Sequence, residues 1–147
     1  MKERLSFDLQ AESRAARLAR LVASGNVPVV ILEALPKNGF GNVQVTARNY
    51  HGEPALEVKM MARAERDAPE GEWQRFDCPI LVERKSLVAR IAVPDSAMHV
   101  GVNIVVRYAT RFGDTIEESW FLSVPSGETP SVSLQARRHV GQASWNG

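Results

Sequence analysis

The stretch NVQVTARNYHGEP, residues 42–54, joins a strand pattern to a run of turn-forming residues. Apolar and polar residues alternate from position 43 to 48, the period of a strand with one buried face. Two interpretations of the turn fit this pattern. Either His51 and Gly52 close a two-residue hairpin that pairs Val45 with Val58, or the chain crosses here from one sheet to another. Both interpretations place the same apolar side chains inward.

The period of two continues outward from this stretch along most of the chain. It recurs at residues 29–35, 56–60, 76–82, 87–93, 100–108 and 116–124, with turn-forming residues between the segments. About seven strands spaced in this way predict an antiparallel β-sandwich. The predicted core consists of the inward residues of these strands: Val43, Val45, Leu56, Val58, Met60, Leu87, Ile91, Val102, Ile104, Val106 and Leu122.

Residues 6–24 follow a different period and predict one α-helix ahead of the strands. Their apolar residues recur at spacings of three and four and form a single stripe: Phe7, Ala11, Ala15, Leu18 and Val22. Gly25 supplies a stop signal. The chain after residue 124 is polar and is expected to be flexible or ordered by a partner. The predicted organisation is a helix at 1–25, a sandwich at 26–124 and a polar tail at 125–147.

The segment IVVRYATRFGDTIEESW, residues 104–120, predicts the last hairpin of the sandwich. A register centred on Gly113 places Val106 opposite Trp120 and keeps one face continuously apolar. A two-residue turn would instead mix the polar and apolar faces. The first register also sets Tyr108 opposite Glu118, close to the turn. There the carboxylate is expected to reach water, pair with an arginine or accept a hydrogen bond from the phenol.

Two stretches resemble a known family. VQVTARNYHGEPALEVKM, residues 43–60, looks like the second and third strands of small bacterial immunoglobulin-like sandwiches of the cell-adhesion-related type. Those domains often carry an Asn-x-x-Gly corner, which matches Asn49 and Gly52, followed here by Pro54 and Ala55. IVVRYATRFGDTIEESWFLSV, residues 104–124, is similar to their last hairpin. The resemblance covers roughly residues 27–124 and implies a seven-stranded immunoglobulin-like β-sandwich, with a sheet crossing at residues 49–55. The N-terminal helix departs from the family pattern.

Composition and charge exclude several classes of protein. The chain has 147 residues with 44% hydrophobic and 24% charged residues, which fits one soluble domain. A net charge of +1 gives no strong field for nucleic acid. No apolar run approaches the roughly 20 residues that span a bilayer, and residues 1–21 lack the apolar core of a signal peptide. Cys78 is the only cysteine, so we expect a reducing, cytoplasmic location.

The sequence contains few residue patterns typical of catalytic, metal-binding or cofactor-binding sites. Histidines at positions 51, 99 and 139 lack metal-ligand spacing. Cys78 lies in an apolar run and predicts a buried structural thiol rather than a nucleophile. NGFGN, residues 38–42, lacks phosphate-loop spacing. We therefore predict no catalytic, cofactor-binding or metal-binding residues. Glu118 alone, a carboxylate of inward parity, keeps open the hypothesis of a small enzyme.

These observations favour a non-enzymatic interaction or assembly module that acts through protein–protein contacts. The partner would be another protein or a second copy of the chain, with no small-molecule substrate and, because outward aromatics are few, no nucleic acid. The candidate contact residues lie on the helix and at the sheet corner: Arg14, Arg17, Arg20, Asn49 and His51. The alternative is a cytoplasmic regulatory domain beside a membrane, since basic residues cluster near the start of the chain.

Overall fold

The computed structural model describes residues 14–25, 27–35, 42–50, 53–65, 73–93, 99–125 and 129–142. The predicted helix is present over residues 14–23. The described residues also form eight strands: β1 (Val30–Ala34), β2 (Asn42–Asn49), β3 (Ala55–Ala64), β4 (Gln74–Leu81), β5 (Ser86–Ala92), β6 (Val100–Ala109), β7 (Asp114–Val124) and β8 (Ser131–Gln142).

These strands form two antiparallel sheets, one in the order β1-β2-β5 and one in the order β4-β3-β6-β7-β8. Buried side chains from both sheets meet in one apolar cluster, so the chain is mainly β and sandwich-like. β2 pairs with β1 and β5, whereas β3 pairs with β4 and β6. The interpretation of residues 49–55 as a sheet crossing is therefore confirmed, and the hairpin alternative is wrong.

Asn49 fixes the sheet crossing. Its side chain is fully buried, and its Nδ2 donates to the carbonyl oxygens of Glu53 and Leu81, each at 2.8 Å. Its own carbonyl oxygen accepts a hydrogen bond from the amide of Arg84 at 2.9 Å. The asparagine thus ties the end of β2 to the turn between β4 and β5, and a buried amide with these partners is satisfied.

Strand β8 corrects two predictions from the sequence. The described residues form eight strands rather than seven, and the extra strand lies in the segment expected to be a polar tail. It pairs with β7 from Ser123 opposite Ser131 to Asp114 opposite Gln142. The apolar alternation that marked the other strands is weak here, because β8 is an edge strand whose residues from Ser133 to Ala136 are exposed on both faces.

The predicted core is largely confirmed. Nine of its eleven residues are buried, and the exceptions, Leu56 and Leu87, are half-buried. A register shift between Leu56 and Lys59 on the β6 side of β3 explains the first exception. Glu57 has a φ of 49°, so the strand bulges there and Ala55, not Leu56, is fully buried. Leu87 packs against the margin of the core near the start of β5.

The register predicted for the last hairpin is wrong by two residues. Val106 lies opposite Glu118 rather than Trp120, and Tyr108 lies opposite Ile116. The apolar parity is unchanged, because a slip of two residues returns every side chain to the same face. Tyr108 and Glu118 become diagonal neighbours on the inward face.

The loop of this hairpin explains the shift. Residues 111–113 form a three-residue loop in which Gly113 is the last residue rather than the centre. Its φ of 87° is a conformation that glycine adopts without strain. The amide of Thr110 donates to the carbonyl of Asp114 at 2.7 Å, and the amide of Gly113 donates to the carbonyl of Thr110 at 3.0 Å. A turn followed by a left-handed residue is a common three-residue hairpin.

The helix packs on the core through only part of the predicted stripe, which Leu18 represents, together with Leu21 from outside it. Leu18 and Leu21 contact the core, whereas Ala15 is exposed and Val22 is 48% exposed. Phe7, Ala11 and the predicted first part of the helix, residues 6–13, lie outside the described residues. Arg17, one residue before Leu18, forms an ion pair with the sandwich beside this packed face.

Candidate functional site

Strand β7 carries three carboxylates with little exposed surface. The side chains of Asp114 and Glu118 are 0% exposed and that of Glu117 is 8% exposed. Asp114 and Glu118 contact inward partners, and Glu117 faces the outside of the five-stranded sheet. Carboxylates are rarely buried unless they are paired. The hydrogen-bond and ion-pair partners of these three carboxylates therefore indicate whether each has a structural or a functional role.

Glu118 accepts hydrogen bonds from three strands. Its Oε2 accepts from Tyr108 Oη at 2.5 Å and from Arg137 Nε at 3.1 Å, and its Oε1 accepts from Trp120 Nε1 at 3.0 Å. Burial, reinforced by the charge and hydrogen bond of Glu118, raises the pKa of Tyr108 far above its usual value. The phenol is therefore a permanent donor, and the carboxylate joins β6, β7 and β8 from within.

The structure confirms part of the expectation for Glu118. The carboxylate pairs with an arginine and accepts from the phenol, as expected. The expectation that it reaches water is wrong, because the observed register sets Glu118 opposite buried Val106 and farther from the hairpin loop.

Asp114, the first residue of β7, accepts hydrogen bonds from the helix and from β8. Arg17 donates through Nε to Oδ1 at 2.6 Å and through Nη2 to Oδ2 at 3.1 Å. His139 Nε2 lies 2.8 Å from Oδ1. Burial alone would raise the pKa of Asp114, but the hydrogen bonds and charges of these two partners outweigh it and hold that pKa below its usual value. The ion pair in turn raises the pKa of Arg17.

The tautomer of His139 follows from its surroundings. An ionised carboxylate only accepts, so Nε2 of His139 carries the proton that it shares with Asp114. The side chain of His139 is 4% exposed, and its Nδ1 is buried with no hydrogen-bond partner among the described residues. The buried imidazole therefore packs beside the Asp114 carboxylate and also donates a hydrogen bond to it.

Glu117 forms a charged row on the outer face of the sheet. Arg107 of β6 donates to Oε2 through Nε at 3.1 Å and through Nη2. Arg138 of β8 donates to Oε1 through Nε at 3.1 Å and Nη2 at 2.6 Å. The hydrogen bond from Arg107, and then that from Arg138, outweigh partial burial and hold the pKa of Glu117 below its usual value. The row links three strands in direct cross-strand register.

The candidate contact residues from the sequence do not meet at one place. Arg14 and Arg20 lie exposed on the helix, whereas Arg17 turns to Asp114. Asn49 is buried at the sheet crossing, and His51 lies outside the described residues.

Sequence reasoning missed the basic partners on β8. ARRH, residues 136–139, follows DTIEES, residues 114–119, as an antiparallel strand that places Arg138 opposite Glu117 and Arg137 opposite Glu118. This complementarity was the available signal. The polar composition of the segment predicts a tail instead, and weak apolar alternation hides the strand.

The metal-ligating and nucleophilic groups in the described part of the chain bear on whether these acids could belong to a reaction centre. No three His, Cys, Asp or Glu side chains among them are grouped as metal ligands would be. Cys78 is half-buried on edge strand β4 rather than buried, and its Sγ contacts the carbonyl of Ile80 at 3.1 Å. A cavity of about 60 Å³ lies beside Arg137 at the join between helix and β1, and Glu118 does not line it.

The comparisons with known proteins found no match. No family model, no curated protein and no solved structure matches the chain. No helix within the described residues is long and apolar enough to cross a membrane.

Proposed function

We propose that the chain is a non-enzymatic interaction module that binds a protein partner by strand addition at the edge of β8. The observation that carries the proposal is the position of β8, Ser131–Gln142, at the end of the five-stranded sheet. Among the described residues, its only hydrogen-bonded neighbour is β7. The backbone groups on the other side of an edge strand are available to pair with an added strand.

The other edge of the same sheet is less suited to strand addition. β4 contains Pro79, which has no N–H to donate. The Gln74 side chain of β4 also bridges to β5, accepting from the amide of Ala92 at 2.8 Å and donating to its carbonyl at 2.9 Å. β8 has 12 residues without a proline, and its central residues are exposed. β8 also contacts β1, so the exposed part from Ser133 to Ala136 is the part of this sheet's edges better suited to a partner.

The carboxylates support a binding role over catalysis. Both oxygens of Glu118 already accept hydrogen bonds, and its donors come from residues that hold the strands together. A general acid or base must lie within reach of a substrate proton. Glu118 is fully buried instead, so we assign it a structural role. The single cysteine of the chain, Cys78, supports a cytoplasmic location as part of the same proposal.

The strand order supports an immunoglobulin-like fold as a further part of the proposal. An immunoglobulin constant-type sandwich places its first, second and fifth strands in one sheet and its third, sixth and seventh in the other. β1, β2 and β5 share one sheet here, and β3, β6 and β7 share the other. β4 pairs with β3 rather than with β5, and β8 is an addition.

A lysine placed on the edge strand tests the proposal. Leu134 of β8 is 41% exposed, and a lysine there should block strand addition without unfolding the sandwich. Val82, which is 43% exposed and lies outside the strands, provides the matched control. Partners captured from the native cell should bind the wild type and Val82→Lys equally and bind Leu134→Lys weakly.

The same variants distinguish the two kinds of partner. If the partner is a second copy, the mass of the wild type in light scattering should rise with concentration, and Leu134→Lys should remove that rise. Equal binding and equal mass for all three proteins would refute strand addition at β8.

A further inference from the structure

The carboxylate of Asp114 has the geometry of a guanidinium acceptor. Arg17 approaches it side-on, with Nε on one oxygen at 2.6 Å and Nη2 on the other at 3.1 Å. Two parallel N–H donors match a planar guanidinium, whereas the ammonium of lysine is a point charge that cannot make this fork. The acceptor therefore selects arginine by shape as well as by charge.

The acceptor is built entirely by the sandwich. Asp114 begins β7, and His139 of β8 contacts its Oδ1 at 2.8 Å. Thr110 holds the Asp114 backbone, since its Oγ1 accepts from the Asp114 amide at 3.2 Å and its own amide donates to the Asp114 carbonyl at 2.7 Å. Strand pairing keeps these residues in place, and the guanidinium arrives from the helix, 97 residues earlier in the chain.

The described part of the helix that carries Arg17, residues 14–23, is lightly attached. Leu18 and Leu21 are only half-buried, and Val22 is 48% exposed. The Arg17 side chain is itself 37% exposed, and a groove of about 570 Å³ lies beside it. Elements with few buried apolar contacts open locally at a lower free energy than global unfolding requires. Arg17 can therefore leave while the sheets remain folded.

A vacated site would present its carboxylate to a new cation. The Asp114 side chain is 0% exposed with Arg17 in place, so departure of Arg17 leaves the carboxylate without its guanidinium partner. His139 would remain as one donor, but its Nδ1 has no partner among the described residues and it lacks the second, parallel donor of a guanidinium. The group that restores both contacts is another arginine side chain.

From these contacts we propose that Asp114 and His139 form a guanidinium-binding site for an arginine on a partner protein, and that Arg17 occupies it as a displaceable internal ligand. The helix then keeps the site closed until a partner's arginine competes with Arg17. His139 belongs to β8, but its side chain faces Asp114, and the test measures binding of an arginine probe rather than strand addition.

The full chain with Arg17→Ala tests the site, with N-acetyl-arginine amide as the probe. Titration followed by the amide signals of Asp114 and His139 in NMR should show saturable binding to this variant. N-acetyl-lysine amide should bind about tenfold more weakly or worse, because it lacks the fork. The wild type should also bind the arginine probe about tenfold more weakly or worse, because Arg17 occupies the site in most molecules.

Three further variants make the result decisive. Arg20→Ala removes an exposed arginine from the same helix and should behave as the wild type. Adding Asp114→Asn to Arg17→Ala should abolish binding. If Arg17→Ala does not fold, Arg17→Lys leaves a cation on the helix without the fork, and it should bind the arginine probe more tightly than the wild type does. Equal binding of the two probes, no binding to a folded Arg17 variant, or binding that persists without the Asp114 carboxylate would overturn the proposal.

Discussion

Replacing Glu118 with glutamine tests whether the buried carboxylate stabilises the joint between β6, β7 and β8. Glutamine keeps the shape of the side chain but replaces one acceptor oxygen with a donating nitrogen. If that nitrogen takes the place of Oε1, it faces the indole N–H of Trp120. If it takes the place of Oε2, it faces the phenol of Tyr108 and the guanidinium of Arg137. In either orientation a donor loses its acceptor.

The size of the effect follows from these contacts. A buried donor left without an acceptor costs about 1–3 kcal/mol. Removing one charge of a fully buried ion pair costs about 3–5 kcal/mol, but Arg137 is 26% exposed and can turn toward water. We therefore expect Glu118→Gln to lower the free energy of unfolding by about 2–4 kcal/mol, a large part of the roughly 5–15 kcal/mol typical of a domain.

Glu117→Gln provides the matched control, because it makes the same exchange at the neighbouring residue of the same strand. The partners of Glu117, Arg107 and Arg138, have side chains that are 50% and 68% exposed. Ion pairs with exposed partners contribute about 0.2–1 kcal/mol, so the control should lose about 1 kcal/mol or less. Urea unfolding at neutral pH, followed by tryptophan fluorescence, measures both losses, and an unchanged m-value would show that the transition itself is the same.

The comparison between the two variants can refute the reasoning. A loss for Glu118→Gln no larger than that for Glu117→Gln would mean that the inward hydrogen bonds do not stabilise the fold. High salt offers a second check. It should reduce the stability lost in Glu117→Gln more than the stability lost in Glu118→Gln, because salt screens the exposed ion pairs of Glu117 more than the buried ion pair of Glu118.

Three further outcomes are expected. Ile104→Ala should lower the free energy of unfolding by about 2–5 kcal/mol because its side chain is 1% exposed, and a loss of a few tenths in urea titration would contradict its inward position. Stability should fall on acidification, because the pKa values of Asp114 and Glu117 lie below their usual 3.8 and 4.5 in the folded chain. Their contribution is complete above those usual values and is lost as pH falls through the lower folded-state pKa values. The urea concentration at the unfolding midpoint, measured from about pH 6 to about pH 2, reports the loss of stability. If this midpoint falls with pH as steeply in Asp114→Asn as in the wild type, the Asp114 carboxylate does not cause the loss. Deleting residues 1–24 should leave a folded sandwich with a lower thermal midpoint, since Asp114 loses Arg17 while the sheets keep their core; loss of the β-sheet circular dichroism signal would show that folding needs the helix.

The last hairpin shows what the alternation of apolar and polar residues can predict and what it cannot. The pattern placed Ile104 and Val106 on the inward face, and both are buried. It could not choose between registers that differ by two residues, because each keeps the same face apolar. The choice depended on the loop, where Gly113 takes the left-handed position at the end rather than the centre. The bulge at Glu57 shows the same limit, since a local irregularity moved Leu56 out of the fully buried set.

The amino-acid sequence by itself determined the classes of structure: a helix, a series of strands and most of the core. These follow from periodicity, because an apolar side chain is buried or exposed according to the face of its own element. The tertiary structure alone decided that residues 131–142 form a strand and that Arg17, Arg137 and His139 meet carboxylates of β7. A charged residue can be buried only beside a partner, and that partner is set by which strands are neighbours and by their register, neither of which is local in the chain.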